Sequence, residues 1–345
     1  MGTMAAGKAG RRPLTVGAFS PSVLLRTGRR LGLVGPDVAE TAVASSPAQF
    51  AALLDGTIDA ALTSPDNVIA YRFVPGNPLG RTADVRIVSA VDRGLGLALY
   101  ARPGVSSAAG LKGEVIGVDV PDSGFAFALY AALEALGLRP GDYRTVALGS
   151  TPRRLEALLG GGCAATMLNA GADLRAQEAG AVRLAGVPRP YLGTVLCSLG
   201  GDPAVRALAD DLRATALAIL AGEADTVATE EAAEALRLPE AAATRYLDRL
   251  KDPDEGLVAD GLADVESLST VLGLRRRYGD APTGDLLNRG LLDPDPTDPS
   301  PIGLSPTDPG PTDPGPTDPG PTDPGPTNPD PTNPGPSDRG DGRGR

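Results

Sequence analysis

The chain has 345 residues, enough to bury a sizeable core in one large two-lobed unit or in two domains. It is 41% hydrophobic and 22% charged, a globular composition, yet only 3% aromatic with no Trp and no His, which excludes indole stacking and any imidazole metal ligand or proton relay. Residues from Asp293 onward carry −7 of the net charge of −11, leaving the body near −4; neither part offers the basic surface that nucleic acid or an anionic membrane requires.

Taken in chain order, residues 1–12 read as a disordered N-terminus. Arg11-Arg12 could open a twin-arginine signal, but no apolar stretch precedes it, and cleavage beyond it would remove the first core strand at 14–18. As written, the chain carries no export signal and is expected in the cytoplasm; a signal missing upstream would place it outside the membrane. No run approaches the roughly 20 apolar residues that span a bilayer.

The body alternates short apolar runs with helical patterns, the grammar of βα units. Strands are expected at 14–18, 41–44, 58–63, 85–90 and 95–101, then at 115–118, 144–147, 164–168, 182–185 and 194–199. After Gly201 the strand signal stops, and Ala/Leu/Glu-rich helical stretches run to about Tyr278. Two βα sets followed by a helical return predict two lobes. A short echo agrees: residues 50–56 (FAALLDG) lead into 58–62, and 155–160 (LEALLG) into 163–168, each time with Gly closing a helix before an apolar strand.

From about Asp293 a pentad, PTDPG at 306–310, recurs through 325 and continues with Asn variants to 335. It has almost nothing apolar to bury and too much Pro for a helix or a ladder, so 293–345 is expected to be disordered. A period of five excludes collagen. Cys163 and Cys197 form no metal spacing and no CxxC; they read as two buried thiols, with a disulfide as the alternative.

Chemistry concentrates where helices begin. Ser20-Pro21, Ser46-Pro47, Ser64-Pro65 and Thr151-Pro152 each follow an expected strand, and Ser or Thr before Pro is a helix-start signal. Ser46 with Gln49 fits a capping box. Asp122-Ser123-Gly124 opens a helix expected over 125–136 and closed by Gly137. In an open α/β sheet these turns gather at the carboxyl edge, where ligands bind.

These segments resemble a known family, the substrate-binding proteins of nitrate, sulfonate and taurine importers and their pyrimidine-precursor relatives. The resemblance is carried by residues 56–67 (GTIDAALTSPDN), 111–118 (LKGEVIGV), 123–138 (SGFAFALYAALEALGL), 179–185 and 193–200, and it spans roughly 13–278. It implies an α/β, two-lobed type II periplasmic-binding-protein fold with C-terminal helices. Two crossovers, near 95–101 and 191–199, would join lobe 1 (13–96 with 195–285) to lobe 2 (97–194), with the ligand between them. The missing signal departs from the family, and without His the chain cannot carry the chemistry of the pyrimidine-synthase branch.

The function expected is capture of a small polar organic molecule for an ABC importer, by a monomer that is not an enzyme, holds no cofactor or metal, and has the permease as its candidate macromolecular partner. A lyase or decarboxylase on the same fold, with Asp66, Asp92 or Asp122 as paired carboxylates, is the alternative; a cytoplasmic ligand sensor is a third. The expected ligand-binding residues are Ser20, Ser22, Ser46, Ser64, Asp66, Asn67, Asp92 and Arg93 on one wall and Asp122, Ser123 and Asn169 on the other. Three Asp against one Arg predict a solute with several hydrogen-bonding groups, an amine or heterocycle among them, rather than a bare inorganic anion.

Overall fold

The computed structural model describes residues 12–294. The expected disordered N-terminus, apart from Arg12, and the repeat from 295 onward lie outside the described residues.

Two five-stranded sheets organise the chain. In the first, β1 (Leu14–Ala18) runs parallel to β2 (Val38–Ala42) and β3 (Ala60–Thr63). β4 (Val85–Asp92) sits at the edge, and β10 (Thr194–Leu199) is inserted antiparallel between β3 and β4. The order is β2-β1-β3-β10-β4. In the second, β6 (Val115–Val118) runs parallel to β7 (Arg144–Ala147) and β8 (Ala165–Leu168). β5 (Ala98–Ala101) lies antiparallel between β8 and β9 (Val182–Gly186), giving the order β7-β6-β8-β5-β9. β5 leaves the first sheet for the second, and β10 returns. The two crossovers, 93–97 and 187–193, are therefore fixed by topology.

The strands follow from composition. β3, β5 and β8 are buried at every position, as continuous apolar runs covered on both faces should be. The expected strand at 41–44 lies earlier, at Val38–Ala42. Glu40 obscured it: this mid-strand carboxylate accepts from the Ser22 N–H at 2.6 Å and pairs with Arg26 at 3.2 Å. Val43 and Ala44, which suggested the strand, lie past its end.

Helices cover the sheets: α1 (Val23–Arg30), α2 (Ser46–Leu54), α3 (Pro65–Phe73), α4 (Gly124–Ala135), α5 (Thr151–Leu159) and α6 (Ala172–Glu178). The helical return comprises α7 (Pro203–Leu220), α8 (Asp225–Ala235), α9 (Glu240–Leu250) and α10 (Val265–Tyr278). α10 packs on both α3 and α4, so it touches the helical layers of both sheets. Its Leu268, Val271 and Leu274 join Phe127 and Leu133 of α4 and Phe50 of α2 in one continuous core. Each such side chain, fully buried, contributes roughly 1.5–3 kcal/mol.

Several expected caps shift by one or two residues. Ser45, not Ser46, caps α2, its hydroxyl accepting from the Ala48 N–H. Gln49 makes no capping box; its amide is buried and donates to the carbonyls of Gly17 and Leu62, tying β1 to β3. Ser22, not Ser20, caps α1, and Ser150, not Thr151, stands at the head of α5. In α2 and α5 Pro occupies the first turn, and the residue before the Ser/Thr–Pro pair takes the cap position; in α1 Pro21 instead precedes the cap Ser22. Ser64 and Ser123 cap α3 and α4 as expected. Gly137 closes α4 at φ 79°.

Both cysteines are free and buried. Asp293, expected to open the disordered tail, is instead held on the body. Its side chain is 2% exposed and pairs with Arg206 at 2.6 Å, and its N–H donates to the Ile87 carbonyl.

Candidate ligand-binding cleft

The carboxyl ends of β1, β3, β4, β6 and β8 face one cleft of about 1010 Å³, part of it open to solvent. Its wall combines apolar side chains, among them Phe19, Leu62, Leu95 and Phe125, with hydroxyls and backbone at helix starts. Ser22 precedes α1, Ser45 and Ser46 open α2, Ser64 caps α3, Ser123 caps α4, and Ser150 and Thr151 open α5. Such junctions present N–H groups and the positive ends of helix dipoles.

Of the residues named from the sequence, Ser20, Ser22, Ser46, Ser64, Asn67, Asp92, Ser123 and Asn169 line this cleft. Asp66, Arg93 and Asp122 do not. Asp66 is fully buried behind the wall in a two-pronged ion pair with Arg275 of α10, at 2.6 and 2.8 Å. Arg93 turns away to Asp264, the cap of α10, at 3.2 Å. The Asp122 side chain is exposed, and only its carbonyl is used, accepting from Arg275.

The expected charge balance changes accordingly. The carboxylates on the wall are Asp92 and Asp119, and the cation is Arg154. Neither Asp119 nor Arg154 was anticipated. Arg154 had a signal: Thr151, Arg154, Leu155 and Leu158 are the buried stripe of α5 at helical spacing, and a charge within an apolar stripe needs a reason. Asp119 follows the last residue of β6, and its carboxylate accepts from the Ser123 hydroxyl at 2.5 Å. Thr194 and Tyr246 also line the cleft.

Asp92 sits where the two crossovers meet. Its carboxylate accepts from the Gly94 N–H at 2.8 Å. Burial pushes its pKa up to about 6, against the opposing hydrogen bonds from Thr194 and Gly94. The first crossover passes through Gly94, Leu95 and Gly96, all at positive φ (112°, 46° and 83°). For Leu95 this left-handed conformation is a cost that the surrounding packing must hold. Leu95 lines the cleft, and its carbonyl accepts from the Ala170 N–H beyond β8. Asn169 donates to the Gly94 carbonyl. The end of β8 is thus fastened to the first crossover.

Neither thiol lines the cleft, and burial raises the Cys163 thiol to about 11 and raises Cys197 as well. Among the described residues no cluster of His, Cys, Asp or Glu could hold a metal ion, and no helix is long and apolar enough to cross a membrane.

No protein-family model and no curated protein matches the sequence. Solved structures do match the fold. The alkanesulfonate-binding protein SsuA from Xanthomonas axonopodis pv. citri superposes with a TM-score of 0.62 at 17% identity, covering 79% of this chain and 96% of that one. The ligand-binding component of an ABC-type import system from Staphylococcus aureus gives 0.64 at 13% identity, covering 82% and 97%. The desulfurization enzyme DSZB gives 0.52 at 15% identity, covering 82% and 93%. At such identities the likeness concerns the fold, and this chain has the two-lobed α/β architecture of the periplasmic binding proteins of ABC importers.

Proposed function

We propose that the protein is a solute-binding protein. It captures a small polar organic molecule between two lobes, 13–96 with 195–285 and 97–194, and delivers it to the permease of an ABC importer. It acts as a monomer and makes and breaks no bonds. The observation that carries this reading is a cleft onto which strand ends and helix starts of both sheets converge, spanned by two crossovers that come into contact at Gly94 and Gly193. A buried set of hydroxyl and amide groups selects its ligand sharply, because an analogue lacking one group leaves a partner unpaired. Hinge closure about Gly94–Gly96 and Gly193 traps the solute.

The test is thermal melting of the full chain against a panel of polar organic solutes, followed by small-angle scattering with any solute that stabilises it. Saturation should reduce the radius of gyration; an unchanged radius would count against a clamp. The enzyme reading has one point in its favour, that DSZB shares the fold. Asp92 and Asp119 are the groups it would use. Mass spectrometry of the recovered solute separates the two, since a binding protein returns it unaltered.

A further inference from the structure

Arg154 is 2% exposed, yet among the described residues it joins no ion pair. Its Nε donates to the Met167 carbonyl at 3.2 Å, one terminal nitrogen to the Gly149 carbonyl at 2.6 Å, and the other to the Thr151 hydroxyl at 2.9 Å. All three acceptors are neutral. A guanidinium has five N–H groups in a fixed fork, so one donor remains on each terminal nitrogen. This side chain lines the cleft. A buried cation held in no ion pair is strongly disfavoured unless an anion is brought into contact with it.

The wall also supplies the opposite charge. Asp119 lines the same cleft at the end of β6, half-buried and oriented by the Ser123 hydroxyl at 2.5 Å. It and Arg154 both stand on the second-sheet side, close enough for Asp119 to be the foremost charge acting on Arg154 but not in salt-bridge contact. The cleft therefore presents a separated cation and anion on one wall.

We infer that the ligand is a small amino carboxylate, its planar carboxylate held in the Arg154 fork and its ammonium group by Asp119. The fork matches a carboxylate through two parallel hydrogen bonds. This inference rests on the solute-binding reading and narrows it to one chemical class.

Calorimetry and thermal melting of the full chain test it with α- and ω-amino carboxylates of two to six carbons. Each is compared with the carboxylate lacking its amine and the amine lacking its carboxylate. At least one amino carboxylate should bind, with both single-charge counterparts at least about 10-fold weaker. Arg154→Gln should weaken that binding by about 100-fold or more. Asp119→Asn should weaken the amino carboxylate but leave its amine-free counterpart unchanged, a readout that survives if the Arg154 variant does not fold. Failure of every amino carboxylate overturns the inference, as does an uncharged solute binding wild type and Arg154→Gln equally. In the latter case the solute-binding reading still stands; if no solute of any class binds, both fall.

Discussion

Arg275 of α10 clasps Asp66, 209 residues earlier at the start of α3, with Nε and one terminal nitrogen on the two carboxylate oxygens and both side chains buried. The same guanidinium donates to the carbonyls of Asp280 and Asp122 and lies 5.0 Å from the centre of the Phe127 ring. One side chain thus joins the last helix to the first-sheet helix α3 and to the start of α4. Breaking such a pair from one side leaves an uncompensated charge. Arg275→Met should cost about 3–5 kcal/mol in urea unfolding. Combining it with Asp66→Asn should recover part of that loss. A cost below about 1 kcal/mol for the single variant would mean that the pair is not the strap described.

The close approach of the two crossovers depends on glycine. A Cβ on Gly193 would stand 2.3 Å from the Gly94 Cα, 2.4 Å from its nitrogen and 2.6 Å from an Asp92 carboxylate oxygen. Two of these neighbours are backbone, so the crossovers would have to part. Gly193→Ala is expected to destabilise by about 1–3 kcal/mol. Gly273→Ala, where nothing lies within 4 Å, is the control and should be near neutral or stabilising, since helix interiors favour Ala. Equal melting temperatures for wild type and Gly193→Ala would contradict the contact.

Asp92 makes stability depend on pH. Its folded pKa, about 6, stands above its ordinary value of 3.8. Between those two values the folded state holds the proton more tightly than the unfolded chain, so this group favours folding at low pH. That contribution is lost as pH rises through about 6, and over the window it amounts to roughly 3 kcal/mol at most. Asp92→Asn should therefore flatten the curve of unfolding free energy against pH between 4 and 6. Curves of identical slope for the two proteins would refute the assignment.

The C-terminal boundary is testable by truncation. Ending the chain after Leu292 removes Asp293, its ion pair with Arg206 and its backbone bond to Ile87, and should lower the melting temperature by several degrees. Ending it after Pro294 removes only the apolar-poor repeat region and should leave the melting temperature unchanged. Matching losses in both truncations would show that the repeat contributes to stability.

Much of this architecture was legible in the chain itself. β1, β6, β7 and β10 lie at their expected bounds. β6 and β10 do so because a largely buried apolar run announces itself without reference to any partner, whereas β7 is an exposed edge strand. The helix starts that line the cleft were legible to within two residues, because Ser or Thr near Pro favours a helix start, and Ser123 before Gly124 is a cap without Pro. What the sequence could not decide was which charges face one another. Asp66 and Ser64 are two residues apart, yet one is withdrawn by an arginine 209 residues away while the other faces the cleft. Arg154 and Asp119 come from separate βα units and share a wall only because β6 and β8 are neighbours in the second sheet. Local propensity fixes backbone shape over a few residues, whereas the pairing of buried charges depends on tertiary distances that chain separation does not encode.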